Sequence, residues 1–243
     1  MKTRNRKVLI TGATSGIGRA LTQRFLRDNY TVIAVGRTLS KLDDLSQEKL
    51  ILKACDLSQM QEVEALIHWV KVNHADLEIL INNAGIQHNY HLLQAENRDH
   101  RIEEEISINL LAPIYLCTGL LSLMASDDSA KAIVNVTSGL ADVPKASAPV
   151  YCATKAALKQ FSKTMKWQLE RGNISVFDLS PSLVDTEMTA GRGKGKITPE
   201  QLVDEFWPKF RHGQYHIDIG KVKWLKRINR ISPAIAESIM KNA

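Results

Sequence analysis

The sequence lacks the marks of several large protein classes. Its three cysteines, Cys55, Cys117 and Cys152, lie far apart and form no C-x-x-C pair. That spacing argues against a disulfide framework and fits reduced thiols in a reducing compartment. The seven histidines include no H-E-x-x-H or comparable spacing, so no metal is expected, and His88 and His91 read as loop residues. No run approaches the ~18 apolar residues of a membrane span. The amino terminus is basic, but its apolar run at 8–10 passes almost at once into a glycine-rich turn, so no signal peptide is expected. These absences together predict a cytoplasmic protein. No repeat, composition shift or low-complexity block divides the 243 residues, and positions 1–243 are expected to form a single α/β domain.

Charge is unevenly placed. Residues 191–243 hold eleven Lys and Arg against five Asp and Glu, so they carry the whole net charge of +6 and leave residues 1–190 balanced at 21 against 21. The basic character belongs to the tail.

What is present is an alternation. "KVLIT", "YTVIAV", "KLILKA", "LEILI", "AIVNV" and "ISVFDL" are short apolar runs, as strands buried on both faces require. Helical patterns follow Ile17 and cover about 59–73, 101–125 and 149–170. Six such runs predict a doubly wound parallel sheet with helices on both faces, and "YHIDI" at 215–219 is the candidate seventh strand. Ligands are expected at the carboxyl ends of the strands.

Two local patterns carry chemistry. "TGATSGIG" at 11–18 closes the first strand and opens the first helix. Gly12 permits a tight turn, while Gly16 and Gly18 let a pyrophosphate approach helix N–H groups. Its G-x-x-x-G-x-G spacing departs from the common G-x-G-x-x-G, and "GRGKGK" near 191–196 is not a P-loop. The second pattern is "VYCATKAAL" at 150–158, where Tyr151 and Lys155 sit four residues apart on one predicted helix face. A phenol with a pKa near ~10 is a poor proton acceptor alone, and a neighbouring ammonium stabilises its phenolate.

With "NNAG" at 82–85 and Ser138 between these two patterns, the sequence resembles the short-chain dehydrogenase/reductase family over about residues 7–188. The resemblance implies a Rossmann-like fold and reversible hydride transfer between a nicotinamide cofactor and a small-molecule carbonyl or alcohol. It implies that Tyr151 is the catalytic acid/base. Lys155 lowers its pKa and binds the nicotinamide ribose. Ser138 orients the substrate carbonyl, and Asn109, in "ISINLLAP", holds a water against Lys155. Cofactor contacts are implied at Gly12, Thr14, Ser15, Gly16, Ile17 and Gly18. Asp56 with Leu57 is implied at the adenine edge, Asn83, Ala84 and Gly85 along the adenosine side, and Val184 and Thr186 at the carboxamide. Asp56 also reads as a cap for the next helix. Ser182 stands where the family usually has glycine after the sixth strand.

After the second strand Gly36 and Arg37 replace the acid that would meet a ribose 2′-hydroxyl, so NADP(H) is the expected cofactor, with NAD(H) the other candidate. Ser15 stands where some NADP-preferring relatives carry a second basic residue. The loop 186–198 is the expected lid. Helices near 110–123 and 151–169 are the expected homodimer face.

The extension 221–243 predicts a helix whose apolar face holds Val222, Leu225 and Ile228, with Trp224 beside it and Lys223, Lys226, Arg227 and Arg230 around it. Pro233 ends or bends that helix. Two readings stand: peripheral contact with an anionic membrane surface, or packing of that face on the sheet or another subunit. The pattern resembles the short-chain reductases encoded with lipoteichoic acid D-alanylation functions. Competing functional readings are a catalytically idle dinucleotide- or partner-binding module and nucleic-acid binding by the tail. The segment has no recognisable nucleic-acid motif, so no nucleic-acid partner is expected.

Overall fold

The computed structural model describes residues 6–45, 48–93 and 98–241. The basic amino-terminal residues 2 and 4 and the last two residues of the tail lie outside the described residues. Seven parallel strands form one sheet: β1 (Lys7–Thr11), β2 (Thr31–Gly36), β3 (Leu50–Ala54), β4 (Leu77–Asn82), β5 (Lys131–Val136), β6 (Ile174–Ser180) and β7 (His216–Asp218). Their spatial order is β3-β2-β1-β4-β5-β6-β7. The order reverses between β1 and β4, which opens a crevice above their carboxyl ends. The sheet exists because the runs are apolar throughout: β1, β4 and β5 are buried along their whole length, which only helices on both faces allow.

On one face α1 (Gly16–Arg27) packs with α6 (Pro199–Arg211) around Phe25, Phe206 and Phe210. On the other lie α2 (Met60–Asn73), α4 (Ala112–Met124) and α5 (Pro149–Leu169), which bury Leu66, Leu116 and Met165.

The helix expected over 101–125 is interrupted. α3 (Arg98–Ile106) passes into a π-helical turn, Ser107–Leu111, before α4 begins. Pro113 lacks an N–H, which removes a donor where the turn widens. The combined run Asp99–Met124 is long and apolar enough to cross a membrane by length and composition, contrary to the sequence expectation. Here its apolar residues, Ile108, Leu116 and Leu120 among them, pack toward the sheet.

The tail forms α7 (Val222–Ile231) and α8 (Pro233–Lys241), with the break at Pro233 as expected. Its apolar face does not look outward. Val222, Leu225 and Ile228 line the wall of the main cavity, and Val222 is 3% exposed. Lys226 is not a free surface cation either. It pairs with Asp218 at 2.5 Å and with Asp142 at 3.4 Å, fastening α7 to the sheet side of the site. The backbone N–H of Ala146 donates to the Lys241 carbonyl at 3.3 Å, so α8 closes over the loop that follows β5.

Candidate active site

The site is built from the glycine turn outward. Gly12 has φ +62°, a left-handed conformation that favours glycine. A Cβ on Gly18 would overlap the Gly12 carbonyl oxygen and approach Asn83, so α1 starts hard against the turn. Ser15 is the N-cap residue of α1, with its side chain making no cap hydrogen bond, and the first turn of the helix holds no acid. The helix N–H groups and the Ser15 hydroxyl are thus available to an anion. Asn83 braces the turn: its amide donates to the Thr11 and Gly12 carbonyls at 2.9 and 3.2 Å. Thr11 Oγ1 in turn accepts from the N–H groups of Asn83 and Ala84 at 3.0 and 3.1 Å. Thr11 ends β1 and opens the "TGATSGIG" run. Its hydroxyl is what joins β1 to the "NNAG" turn.

A cavity of about 1550 Å³ runs from this turn across the carboxyl ends of the strands, larger than the roughly 300–1,000 Å³ of a single drug-sized site. Thr14, Ile17, Arg37, Leu57 and Gly85 line it. Arg37 is exposed. Asp56 lines it too, and one of its carboxylate oxygens accepts from the Ser58 N–H and hydroxyl at 3.0 and 2.9 Å. It therefore holds the turn before α2, although the N-cap residue itself is Gln59. The donors, the glycine cradle and the length of the cavity fit a dinucleotide.

At the other end stand Ser138, Tyr151 and Lys155, all buried and all lining the same cavity. Ser138 caps a short 3-10 turn, Gly139–Ala141, accepting from the Leu140 N–H at 3.1 Å. Tyr151 and Lys155 lie in the first two turns of α5, with the Lys155 ammonium 5.8 Å from the Tyr151 ring centroid. Lys155 donates to the Val136 carbonyl at 2.8 Å. Burial pulls its pKa down to about 8. Burial also pushes the Tyr151 phenol up to about 12, opposed by its hydrogen bond with Ser138. Loss of water around the phenolate sets the direction of this shift, and Lys155, expected from the sequence to lower the pKa, is not among the groups that move it in this structure.

Asn109 sits in the π turn, fully buried. Its carboxamide accepts from the Ile86 N–H and donates to the Ile86 carbonyl, both at 2.9 Å. A Cβ on Gly85 would lie 3.2 Å from Asn109 Oδ1 and 3.4 Å from Lys155 Nζ, so both atoms flank one backbone position. One turn earlier, buried Glu105 accepts from the His88 N–H at 2.9 Å. Two side chains of one helix thus hold the 86–88 loop against the cavity. Only Pro113 gave a sequence signal for the π turn.

Val184 and Thr186 also line the cavity. Ser182, the departure from the family pattern, causes no strain: its N–H donates to the Ile219 carbonyl at 3.1 Å, and among the described non-glycine residues only Asn29 has positive φ. The glycine needed here is Gly220, whose Cβ would approach Ser182 Oγ to 2.5 Å. The expected lid is partly braced: Val184 bridges Ile197, and Lys196 donates to the Thr189 carbonyl at 2.7 Å.

Comparison with known proteins agrees with this geometry. The sequence pattern of the short chain dehydrogenase family matches residues 6–196. The chain is 35% identical over 238 residues, covering 95% of it and 94% of the relative, to the uncharacterized oxidoreductase DltE of Bacillus subtilis (strain 168). It is 30% identical over 220 residues, covering 82% and 87%, to the NADP-dependent 3-hydroxy acid dehydrogenase YdfG of Escherichia coli (strain K12). A short-chain dehydrogenase from Sphingobium yanoikuyae, solved in complex with NADPH, superposes with a TM-score of 0.82 at 25% identity, covering 96% of each chain. The chain belongs to the short-chain dehydrogenase family, whose members are NAD(P)-dependent oxidoreductases acting on CH–OH groups.

Proposed function

We propose that this protein reduces a small-molecule carbonyl to a secondary alcohol, reversibly, with NADP(H) as the preferred cofactor and Tyr151 as general acid/base. The observation that carries this reading is the meeting of Ser138, Tyr151 and Lys155 in a cavity continuous with the glycine turn. The bound dinucleotide supplies the hydride to the carbonyl carbon and ends oxidised. Tyr151 gives its phenolic proton to the carbonyl oxygen, and Ser138 shares the developing negative charge through its hydroxyl. At neutral pH a phenol held near 12 is protonated and an ammonium held near 8 is charged, the state in which Tyr151 donates. Lys155 then favours the phenolate left behind and binds the nicotinamide ribose, while Asn109 holds a water that returns a proton to the pair.

The remaining contacts of this reading follow the cavity. Gly12, Gly16 and Gly18 with Thr14, Ser15 and Ile17 receive the pyrophosphate. Asp56, Leu57, Asn83, Ala84 and Gly85 line the adenosine, and Val184 and Thr186 meet the carboxamide. Arg37, with no acid in its place, favours a 2′-phosphate, in line with the NADP dependence named for the YdfG relatives. A panel of carbonyls with NADPH and NADH, followed by loss of the reduced cofactor's absorbance, tests the proposal. Turnover with NADPH is expected; cofactor binding without turnover of any carbonyl would favour the idle module.

Two finer readings concern the surface of a protein we place in the cytoplasm. Tyr115 on α4 and Trp167 on α5 are 41% and 53% exposed, which supports a homodimer through these helices; a monomer by sedimentation equilibrium would remove it. The inner face of α7 is occupied, but Ile231 at its end is 86% exposed, and Ile235 and Ile239, one turn apart on α8, are 56% and 53% exposed. With the exposed Lys223, Arg227 and Arg230 they support peripheral contact with an anionic leaflet. Equal recovery in the supernatant with anionic and neutral vesicles would discard it.

A further inference from the structure

The cavity is charged unequally along its length. Seven of its lining residues are Lys or Arg, and only two, Asp56 and Glu187, are acids. Asp56 holds a turn at the end nearest β3, and Glu187 pairs with Lys41 at 2.9 Å. Neither acid is free to balance the end that holds Tyr151. Of the seven cations only Lys155, Lys145 and Arg192 are removed from full exposure. Lys155 is committed to the Val136 carbonyl. Lys145 and Arg192 make no side-chain hydrogen bond or ion pair with any described residue.

These two cations come from different segments of the chain. Lys145 lies six residues before Tyr151 in the loop leading into α5, where its carbonyl accepts from the Ala148 N–H at 3.4 Å and from the Cys152 thiol at 3.9 Å. Arg192 stands in the lid, where its N–H donates to the Thr189 carbonyl at 3.1 Å. Their charges are within electrostatic reach of each other, and that of Arg192 also reaches the phenol. Burial, and then the Arg192 guanidinium, holds the Lys145 ammonium below its ordinary pKa, and the same guanidinium acts to lower the Tyr151 pKa against burial. Two half-buried like charges without a counter-ion are costly to hold together, so a ligand that supplies the missing anion gains from both.

We propose that Lys145 and Arg192 form an anion subsite beside Tyr151, so that the substrate is a carbonyl compound carrying a carboxylate or phosphate close to the reacting carbon. This rests on the hydride-transfer reading for the word substrate, and on the cavity's charge alone for the anion. Apolar residues of α7 and α8, Leu225, Ile228 and Met240, form the wall beyond and suit a short apolar remainder. Arg192 reaches the cavity from the loop at 186–198, so that loop shares in recognising the anion.

The test is calorimetric titration of succinate and, separately, of inorganic phosphate into the protein with and without NADP+, using the parent chain, Lys145→Gln, Arg192→Gln and the exposed control Lys163→Gln. One of the two anions is expected to bind the parent, and which one does distinguishes carboxylate from phosphate as the recognised group. Each subsite variant should weaken that binding at least about tenfold, as expected for loss of a charge-assisted hydrogen bond. The control and every variant's NADP+ affinity should stay within about threefold, which also shows that the variants fold. A second arm compares acetoacetate with its methyl ester under NADPH, where the preference for the acid should fall in both variants. Absence of anion binding by the parent, or anion binding unchanged in both variants, would overturn the subsite. So would a loss of NADP+ affinity in Arg192→Gln with anion binding intact, which would assign that residue to the cofactor. Turnover of uncharged ketones without anion binding defeats the subsite and spares hydride transfer. Anion binding with no carbonyl reduced does the reverse.

Discussion

The two ends of the cavity are built in opposite ways. At the glycine turn the backbone is braced from within: Thr11, Asn83 and Ala84 are tied together by hydrogen bonds, glycines pack without room for a methyl group, and the Ser15 hydroxyl and the helix N–H groups are left for an anion. At the far end the walls are a loop, a lid and the tail helices, with unpaired cations and partly exposed apolar side chains such as Trp224, at 63%. The first end has its shape set before a ligand arrives. The second has contacts left to make. One reads as a site fixed for a constant partner, the other as a site whose chemistry is set by what it receives.

Breaking the fixed end has the largest effect. Gly18→Ala forces a methyl into the Gly12 carbonyl and should cost about 3 kcal/mol, at the upper end for overpacking. A lowered melting temperature and loss of cofactor binding in titration would show it; an unchanged affinity would mean that the turn is looser than its packing indicates. Next is Arg37→Asp, which should reverse or erase the preference for NADPH over NADH by about tenfold, within the range of one charge-assisted bond. Unaltered discrimination would take Arg37 out of the site.

The proton chemistry gives a pH effect of known sign. The Lys155 ammonium is lowered to about 8, so the active charged form is present below that pH and lost above it, while Tyr151 at about 12 stays protonated. The reductive kcat/KM should therefore be level at neutral pH and fall above about pH 8, up to about tenfold for each further pH unit. Lys155→Arg should remove that limb from the accessible range even if the rate is low. The smallest effect is at the lid surface: Lys41→Ala removes the exposed pair with Glu187 and should change stability by less than about 1 kcal/mol. A larger loss would show that this pair holds the lid closed.

How much of this was legible in the sequence follows the same division. The central strands could be read because parallel strands buried on both faces are apolar runs, whereas the edge strands β3 and β7 are partly exposed and mix polar residues into theirs. Tyr151 and Lys155 could be read because helical spacing alone puts them together. Ser182 was read as a departure, but its compensation by Gly220 was not, since the two meet only through the backbone pairing of Ser182 with Ile219. The π turn around Asn109 left only Pro113 as a trace, because periodicity differs little between an α-helix and one widened turn. The apolar face of α7 was legible as a face but not as a cavity wall, since nothing local records what a helix packs against. Lys145 and Arg192 are 47 positions apart and share no motif; only the fold brings them to one cavity.

The central claim is that Tyr151 donates the proton in a cavity whose cofactor end stands independently of it. The most direct measurement is Tyr151→Phe, with NADPH binding and turnover determined on the same preparation. Turnover should fall by about a thousandfold, within the range for a general acid, while the dissociation constant for NADPH stays within about threefold of the parent, since Lys155 and the glycine turn remain. Turnover within about tenfold of the parent would contradict the account, since general acid catalysis by this residue accounts for more than that.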